Sequence, residues 1–142
     1  MSKKVLIIST SMRKNGNSDL MARAFAKGAE EAGNAVEIVS LADKQIAFCR
    51  GCFACQKTGR CIINDDAIGI TEKIAEAEVV VWATPIYYYE MTGQMKTMID
   101  RANALFVKDY IDDEDGYEGK AFNRWYADMC KKGVVFDWED YL

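Results

Sequence analysis

Val5-Leu6-Ile7-Ile8, followed by Ser9-Thr10-Ser11-Met12-Arg13-Lys14-Asn15-Gly16-Asn17-Ser18, decides the fold of this chain. A continuous apolar run of this length fits a strand buried on both faces of a parallel sheet. The polar turn after it leads into residues 18–32, a run of good helix formers with Leu20, Met21, Ala24, Phe25 and Ala29 expected on one face. Asn17 or Ser18 is the expected N-cap and Gly33 the expected stop. Val36 and Ile38 alternate with polar neighbours as a second strand. Asp65-Asp66 opens a second helix through Ala77, its acids favourable at the positive end of the helix dipole. Val79-Val80-Val81-Trp82-Ala83 reads as a third strand that ends at Pro85, the only proline. Thr92 then caps a third helix with Met95, Met98, Ile99, Ala102 and Leu105 at helical spacing. Strands and helices alternating at these lengths predict an α/β domain with a parallel sheet and right-handed crossovers. Ligands of such sheets bind outside the carboxyl ends of the strands, where the loops after the first and third strands both lie.

After Leu105 the pattern weakens. Residues 109–118 are acidic and loop-like. Phe122, Trp125, Tyr126, Met129 and Cys130 then recur at helical spacing, closed by Gly133, and Val134-Val135-Phe136 reads as a short fourth strand. We therefore expect a core over residues 1–106 and an atypical segment, 107–142, packed on the same domain.

A length of 142 residues with 50% hydrophobic content indicates one ordinary globular domain and excludes disordered and fibrous classes. The net charge of −4 lacks the basic footprint that nucleic acids and anionic membranes require. The absence of histidine removes Ser-His-Asp triads, zincins and imidazole bases together. No apolar stretch approaches the roughly 18 residues of a membrane span. The short apolar run at the N-terminus does not make a secretory signal, so a cytoplasmic location is expected.

The first loop supplies hydroxyls (Ser9, Thr10, Ser11, Ser18), a guanidinium (Arg13), an ammonium (Lys14) and Gly16 at a helix N-terminus. Unpaired amides and the helix dipole attract an anion there, and Arg adds charge with a bidentate fork, a set that suits a phosphate monoester. Neither a P-loop nor a Gly-x-Gly-x-x-Gly dinucleotide site is present. The second loop, Pro85-Ile86-Tyr87-Tyr88-Tyr89-Glu90-Met91-Thr92-Gly93, offers three tyrosines beside a methionine, a flat amphipathic surface for an aromatic ring system. Polar strand-to-helix loops and rim tyrosines also occur for purely structural reasons. Together at one sheet edge, the two loops point to a mononucleotide.

Four of the five cysteines, Cys49, Cys52, Cys55 and Cys61, fall within thirteen residues. In a cytoplasmic chain such a set points to ligands or redox groups rather than disulfides. Four soft thiolates with two-residue gaps suit an iron–sulfur cluster; a tetrahedral zinc accepts four thiolates as well; a packed thiol set without metal is the third reading. Phe48, Phe53 and Ile62 would shield a cluster or bury a loop. Cys130 is expected in a helix core.

The strand, loop and helix of residues 5–18 resemble the NAD(P)H-dependent FMN reductase family of the flavodoxin-like superfamily, with its Ser-x-Arg-x-x-Gly-Asn-Ser/Thr loop. Pro85-Ile86-Tyr87-Tyr88, then Met91-Thr92-Gly93-Gln94-Met95-Lys96 and Ile99-Asp100-Arg101, look like that family's second flavin loop and the helix after it. The cysteine segment before Asp65-Asp66 looks like the iron–sulfur flavoprotein subgroup. The match covers roughly residues 4–106. It implies a flavodoxin-like three-layer α/β/α fold, FMN as cofactor, NAD(P)H as electron donor and a [4Fe-4S] cluster on the four cysteines. It also implies a quinone, flavin or iron–sulfur acceptor, and a homodimer or higher homo-oligomer. By the same resemblance Ser11, Arg13, Gly16, Asn17 and Ser18 hold the FMN phosphate. Pro85, Ile86, Tyr87 and Tyr88 face the isoalloxazine, and Asp100 and Arg101 support the helix or a subunit contact. Thr10 and Met12 depart from the Gly and Pro common in the family. Nothing after Gly119 resembles its last two strands and third flavin-side loop, which leaves the third strand as an edge to be covered by residues 122–136 or by a second subunit. A non-enzymatic flavin and iron–sulfur electron carrier, and a truncated homologue with weak FMN binding, are the alternatives.

Overall fold

The computed structural model describes residues 2–105. The sheet is built from β1 (Lys4–Ser9), β2 (Ala35–Ser40) and β3 (Val79–Ala83), all parallel, in the order β2-β1-β3. Register runs Val5 to Val36 on one side and Val5 to Val79 on the other. Helices α1 (Asn17–Glu31), α2 (Cys55–Thr58), α3 (Asp66–Glu76) and α4 (Gly93–Arg101) complete the described elements. The helix expected around Phe122, Trp125, Tyr126, Met129 and Cys130, the strand Val134-Val135-Phe136 and the segment 107–142 as a whole lie outside the described residues.

β1 is central and buried on both faces, as its uninterrupted apolar run predicts. Leu6 and Ile8 pack with Ile70 of α3 and with Met95 and Met98 of α4. Val5 and Ile7 face the other way, onto Ala22 and Ala26 of α1. The sheet thus lies between α1 on one face and α3 with α4 on the other, a three-layer α/β/α arrangement of the flavodoxin-like kind.

Thr92 caps α4 as expected, accepting from the Met95 amide, and Asp65, expected only to open α3 with Asp66, is its N-cap, accepting from the Ala67 amide. The docking face of α1 differs from the expected one. Ala22 and Ala26, with Ala29 partly buried, meet the sheet, while Leu20, Met21, Ala24 and Phe25 are exposed. A stripe of alanines lets the helix backbone approach the strands closely, which turns the larger side chains away. The N-cap of α1 is Gly16, without a side-chain cap, rather than Asn17 or Ser18. In β2 the buried residue is Val39, and Ile38 is exposed because β2 is an edge among the described residues. β3 pairs only with β1 among the described residues, as the expected open edge requires.

Candidate functional site

The loop after β1 shapes itself through bonds between near neighbours. The Ser11 hydroxyl donates to the Arg13 carbonyl at 2.9 Å, and the Gly16 amide donates to the same carbonyl at 3.2 Å. Asn15, with a positive φ of 60°, donates its amide to the Asp19 carboxylate at 2.9 Å. That bond, and then the Arg23 side chain, hold the Asp19 carboxyl below the ordinary range. A Cβ at Gly16 would stand 3.2 Å from the Arg13 carbonyl oxygen, a tight contact that the turn would have to relieve by a few tenths of an ångström. Because Gly16 brings no side chain to cap α1, the amides of the first helical turn remain available to an anion.

The loop after β3 is joined to the first by threonines. Thr10, which extends the β1–β3 ladder through its amide to the Ala83 carbonyl (3.0 Å), donates its hydroxyl to the Thr84 hydroxyl at 3.0 Å. The Thr92 amide donates to the same Thr84 oxygen at 3.1 Å. Thr10 and Thr92 are fully buried, so this hydroxyl cluster is the shared floor of both loops and of the α4 N-terminus. The sequence marks Thr92 as a cap and Thr10 as a loop hydroxyl, but not their meeting at Thr84, because that contact joins residues far apart in the chain.

Both loops line one cavity of about 900 Å³ at the carboxyl edge of the sheet. Ser11, Arg13, Gly16, Asn17 and Ser18 line it from one side, and Pro85, Ile86 and Tyr87 from the other. The structure therefore brings together eight of the nine residues expected at the cofactor. Lys14, Asn15, Met12, Met21 and Thr84 line it too. Tyr88 does not. Tyr87 and Glu90 exchange backbone hydrogen bonds of 2.8 and 3.1 Å across a two-residue turn, with Tyr88 and Tyr89 at φ of 48° and 66°. Positive φ at both central positions marks a primed hairpin turn. It carries both rings into solvent, 97% and 95% exposed, packed edge-to-face with centroids 6.0 Å apart. The expected three-tyrosine shelf is thus one tyrosine with Pro85 and Ile86. In chemistry and size the cavity fits a phosphate ester joined to a planar ring.

Of the cysteine segment, Cys61 lines a cavity with Arg101 at the end of α4, and Phe48, next to Cys49, lines another with Gly93 and Gln94 at its start. Cys49 and Cys52 are exposed, Cys55 and Cys61 half-buried. Burial first, and then the nearness of Cys61, Cys52 and Cys49, pushes the Cys55 thiol above its ordinary value. Among the described residues no three groups of the His, Cys, Asp or Glu type are placed to hold one metal ion. Phe48, Phe53 and Ile62 are exposed, so in this arrangement they do not bury the loop.

Arg101, expected to brace a helix or a subunit contact, is the best-buried cation described, at 2% exposure. Its two terminal nitrogens grip the Asp65 carboxylate at 2.6 and 2.9 Å and the carbonyls of Ala47 and Ile63 at 2.8 and 3.0 Å. Burial works against ionising Asp65, but Arg101 and the amides of Ala47 and Ala67 outweigh it and hold the carboxyl low. Burial likewise opposes the charge on Arg101; Asp65 and the Cys61 sulfur outweigh it and raise its pKa. Asp100 pairs with Lys96 on the surface of α4.

Residues 3–127 match a family model described as NADPH-dependent FMN reductase. An iron–sulfur flavoprotein of Methanocaldococcus jannaschii is 37% identical over 104 residues, 73% of this chain and 54% of the relative. Another, of Archaeoglobus fulgidus, is 36% identical over 131 residues, 92% of this chain and 60% of the relative. The chain spans about half the length of the curated relatives it matches. Among solved structures, an NAD(P)H:quinone oxidoreductase from Methanothermobacter marburgensis superposes with a TM-score of 0.60 at 20% identity, over 72% of this chain and 54% of that one. A flavone reductase superposes with a TM-score of 0.57 at 28% identity, over 80% and 36%. The parallel sheet, the two loops at its carboxyl edge and the extent of the family match lead to one conclusion: this chain belongs to the NADPH-dependent FMN reductase family.

Proposed function

We propose that this chain is an FMN-dependent oxidoreductase that takes hydride from NAD(P)H and passes electrons to a quinone, a flavin or an iron–sulfur acceptor. The observation that carries the reading is the convergence of the phosphate-type loop and the Pro85–Tyr87 loop on a single cavity. The family description and the flavoprotein relatives support it. Arg13 supplies the charge for the phosphate, while Ser11, Ser18, Asn17 and the first-turn amides after Gly16 supply donors. Pro85, Ile86 and Tyr87 cover and orient the ring system, and Tyr88 stays outside. FMN, when bound, supplies the hydride and electron chemistry, and the protein binds, orients and shields it. No acid–base side chain is needed, which suits a cleft formed by a chain without histidine.

The four thiols are proposed as ligands of a [4Fe-4S] cluster. The donor set is all thiol, as soft iron–sulfur chemistry demands, and the names of the relatives support it. Each thiolate of such a cluster takes its own iron, so convergence on one point, which a single zinc ion needs, is not required. A cytoplasmic setting, which keeps such thiols reduced, and a homodimer belong to the same reading. The exposed Leu20, Met21, Phe25 and Ile86 offer apolar surface for a second copy.

No helix among the described residues is long and apolar enough to cross a membrane. Fluorescence titration with FMN, followed by anaerobic stopped-flow mixing with NADH and NADPH, tests the central reading. Quenching and then rapid bleaching of the bound flavin are expected with at least one nucleotide. Flavin that binds without bleaching would point to an electron carrier. Unquenched fluorescence would leave a truncated homologue with weak FMN binding and end the proposal.

A further inference from the structure

Tyr88 and Tyr89 hold φ of 48° and 66°, the left-handed region in which a bulky side chain crowds its own backbone and where primed turns normally place glycine or asparagine. Backbone of this kind persists only where its surroundings fix it, and it clusters at ligand sites. Here two backbone bonds between Tyr87 and Glu90, at 2.8 and 3.1 Å, fix it. The fold gains little from the rings in return: they are 97% and 95% exposed and pack edge-to-face on each other at 68°. Such a pair leaves ring faces open to a third planar group.

The pair follows directly on Pro85, Ile86 and Tyr87, which line the cleft on the side away from the phosphate-type loop. Ile86 lines the cleft and is also 80% exposed, so the chain between the cleft and the pair is apolar. In an FMN oxidoreductase every reacting ring, of donor and of acceptor, must lie against the flavin and therefore inside the cleft. Tyr88 and Tyr89 do not line the cleft, so the aromatic group they hold is one that does not react. A quinone brings only the ring that reacts. A nicotinamide dinucleotide brings a second ring, adenine, set off from the first by two riboses and a pyrophosphate. A protein partner fits the pair less well, because two tyrosine rings offer about 300–500 Å², short of the roughly 800 Å² per partner of a standard interface.

We propose that Tyr88 and Tyr89 bind the adenine of the electron donor, stacking it outside the cleft while the nicotinamide lies within; this rests on NAD(P)H being that donor. The bonded turn presents the ring faces before the nucleotide arrives, so little freedom is lost on binding.

Two measurements on the full chain test this. The first needs no turnover. Titration with ADP-ribose, with and without FMN, should shift the ring-proton resonances of Tyr88 and Tyr89, and ribose 5-phosphate, which lacks the base, should not. Rings that ADP-ribose leaves unmoved overturn the proposal. The second compares NADH or NADPH, whichever bleaches the flavin, with reduced nicotinamide mononucleotide, which lacks the adenosine half. The ratio of their kcat/KM values should fall about tenfold in Tyr88→Ala/Tyr89→Ala, the loss expected for one base–aromatic stack. Tyr88→Phe/Tyr89→Phe, which keeps both ring faces, should retain the wild-type ratio. A ratio unchanged in the alanine variant, whether both donors lose equally or neither does, overturns the proposal. So does a change of oligomeric state in that variant at an unchanged ratio, which would make the pair a subunit contact. Rings that shift with ADP-ribose in a chain whose bound flavin no donor bleaches would end the oxidoreductase reading and leave the adenine site standing.

Discussion

The phosphate-type loop and the cysteine loop are held by different means. Beyond its base, where Thr10 is tied across the sheet to Thr84, the phosphate-type loop is shaped by bonds that reach two to four residues along the chain: Ser11 to Arg13, and Asn15 to Asp19. The cysteine loop is tied by bonds that reach 36 to 54 residues, through Arg101 to Asp65, Ile63 and Ala47. A loop of the first kind shapes itself and keeps its donors turned outward to a ligand. One of the second kind has its ends fixed by distant elements.

The contrast fails at once if removing the long-range anchor is harmless. Asp65→Ala takes away the cap of α3 and strands the buried Arg101, which should cost about 3–5 kcal/mol in a urea melt. A loss below about 1 kcal/mol would mean that the stems are held some other way. The same anchor sets a pH dependence. Asp65 ionises more readily folded than unfolded, so its contribution is complete above the ordinary carboxylate value of 3.8 and is lost as the pH falls below it. Urea midpoints at pH 7 and in acid should therefore diverge more in the wild type than in Asp65→Ala.

At the other loop the expected pattern is reversed. Arg13→Gln removes an exposed side chain with little role in the fold, so the melt should not change. FMN affinity should fall by about 1.5–3 kcal/mol, roughly tenfold to a hundredfold, as read by fluorescence quenching. A drop in stability with unchanged affinity would reverse the roles assigned to the two loops. The smallest effect sharpens the boundary of the cleft. Tyr88→Asn places a residue tolerant of left-handed backbone at φ 48°, and should raise stability by no more than about 1 kcal/mol with FMN affinity unaltered. An affinity change would put Tyr88 back among the cofactor contacts.

What could be read in the sequence follows the same division. β1, the cap Thr92, the opening of α3 at Asp65-Asp66 and the meeting of eight of the nine expected residues at one cavity were legible because each depends on neighbours in the chain or on the topology of a parallel sheet. Arg101 was legible only as a support of its helix or of a subunit contact; its actual partners lie on segments that helical periodicity cannot bring together. The docking face of α1 was misread for a related reason. Leu20, Met21 and Phe25 form the more apolar stripe, but close approach to the sheet favours the alanines. The outward turn of Tyr88 was not legible because the primed turn that carries it has no glycine or asparagine to announce it.

Helix α4 has a consequence of its own. Its first turn is hydrogen-bonded to the floor of the cleft through Thr92, and its last residue grips the thiol segment through Arg101. Nine residues at 1.5 Å each make a rod of about 13 Å, and each added residue turns its far end by about 100°. The rod therefore sets the spacing between the floor of the cleft and the junction that Arg101 holds. A single inserted residue would swing the guanidinium off its partners, so drift in length here is far less tolerable than in either loop.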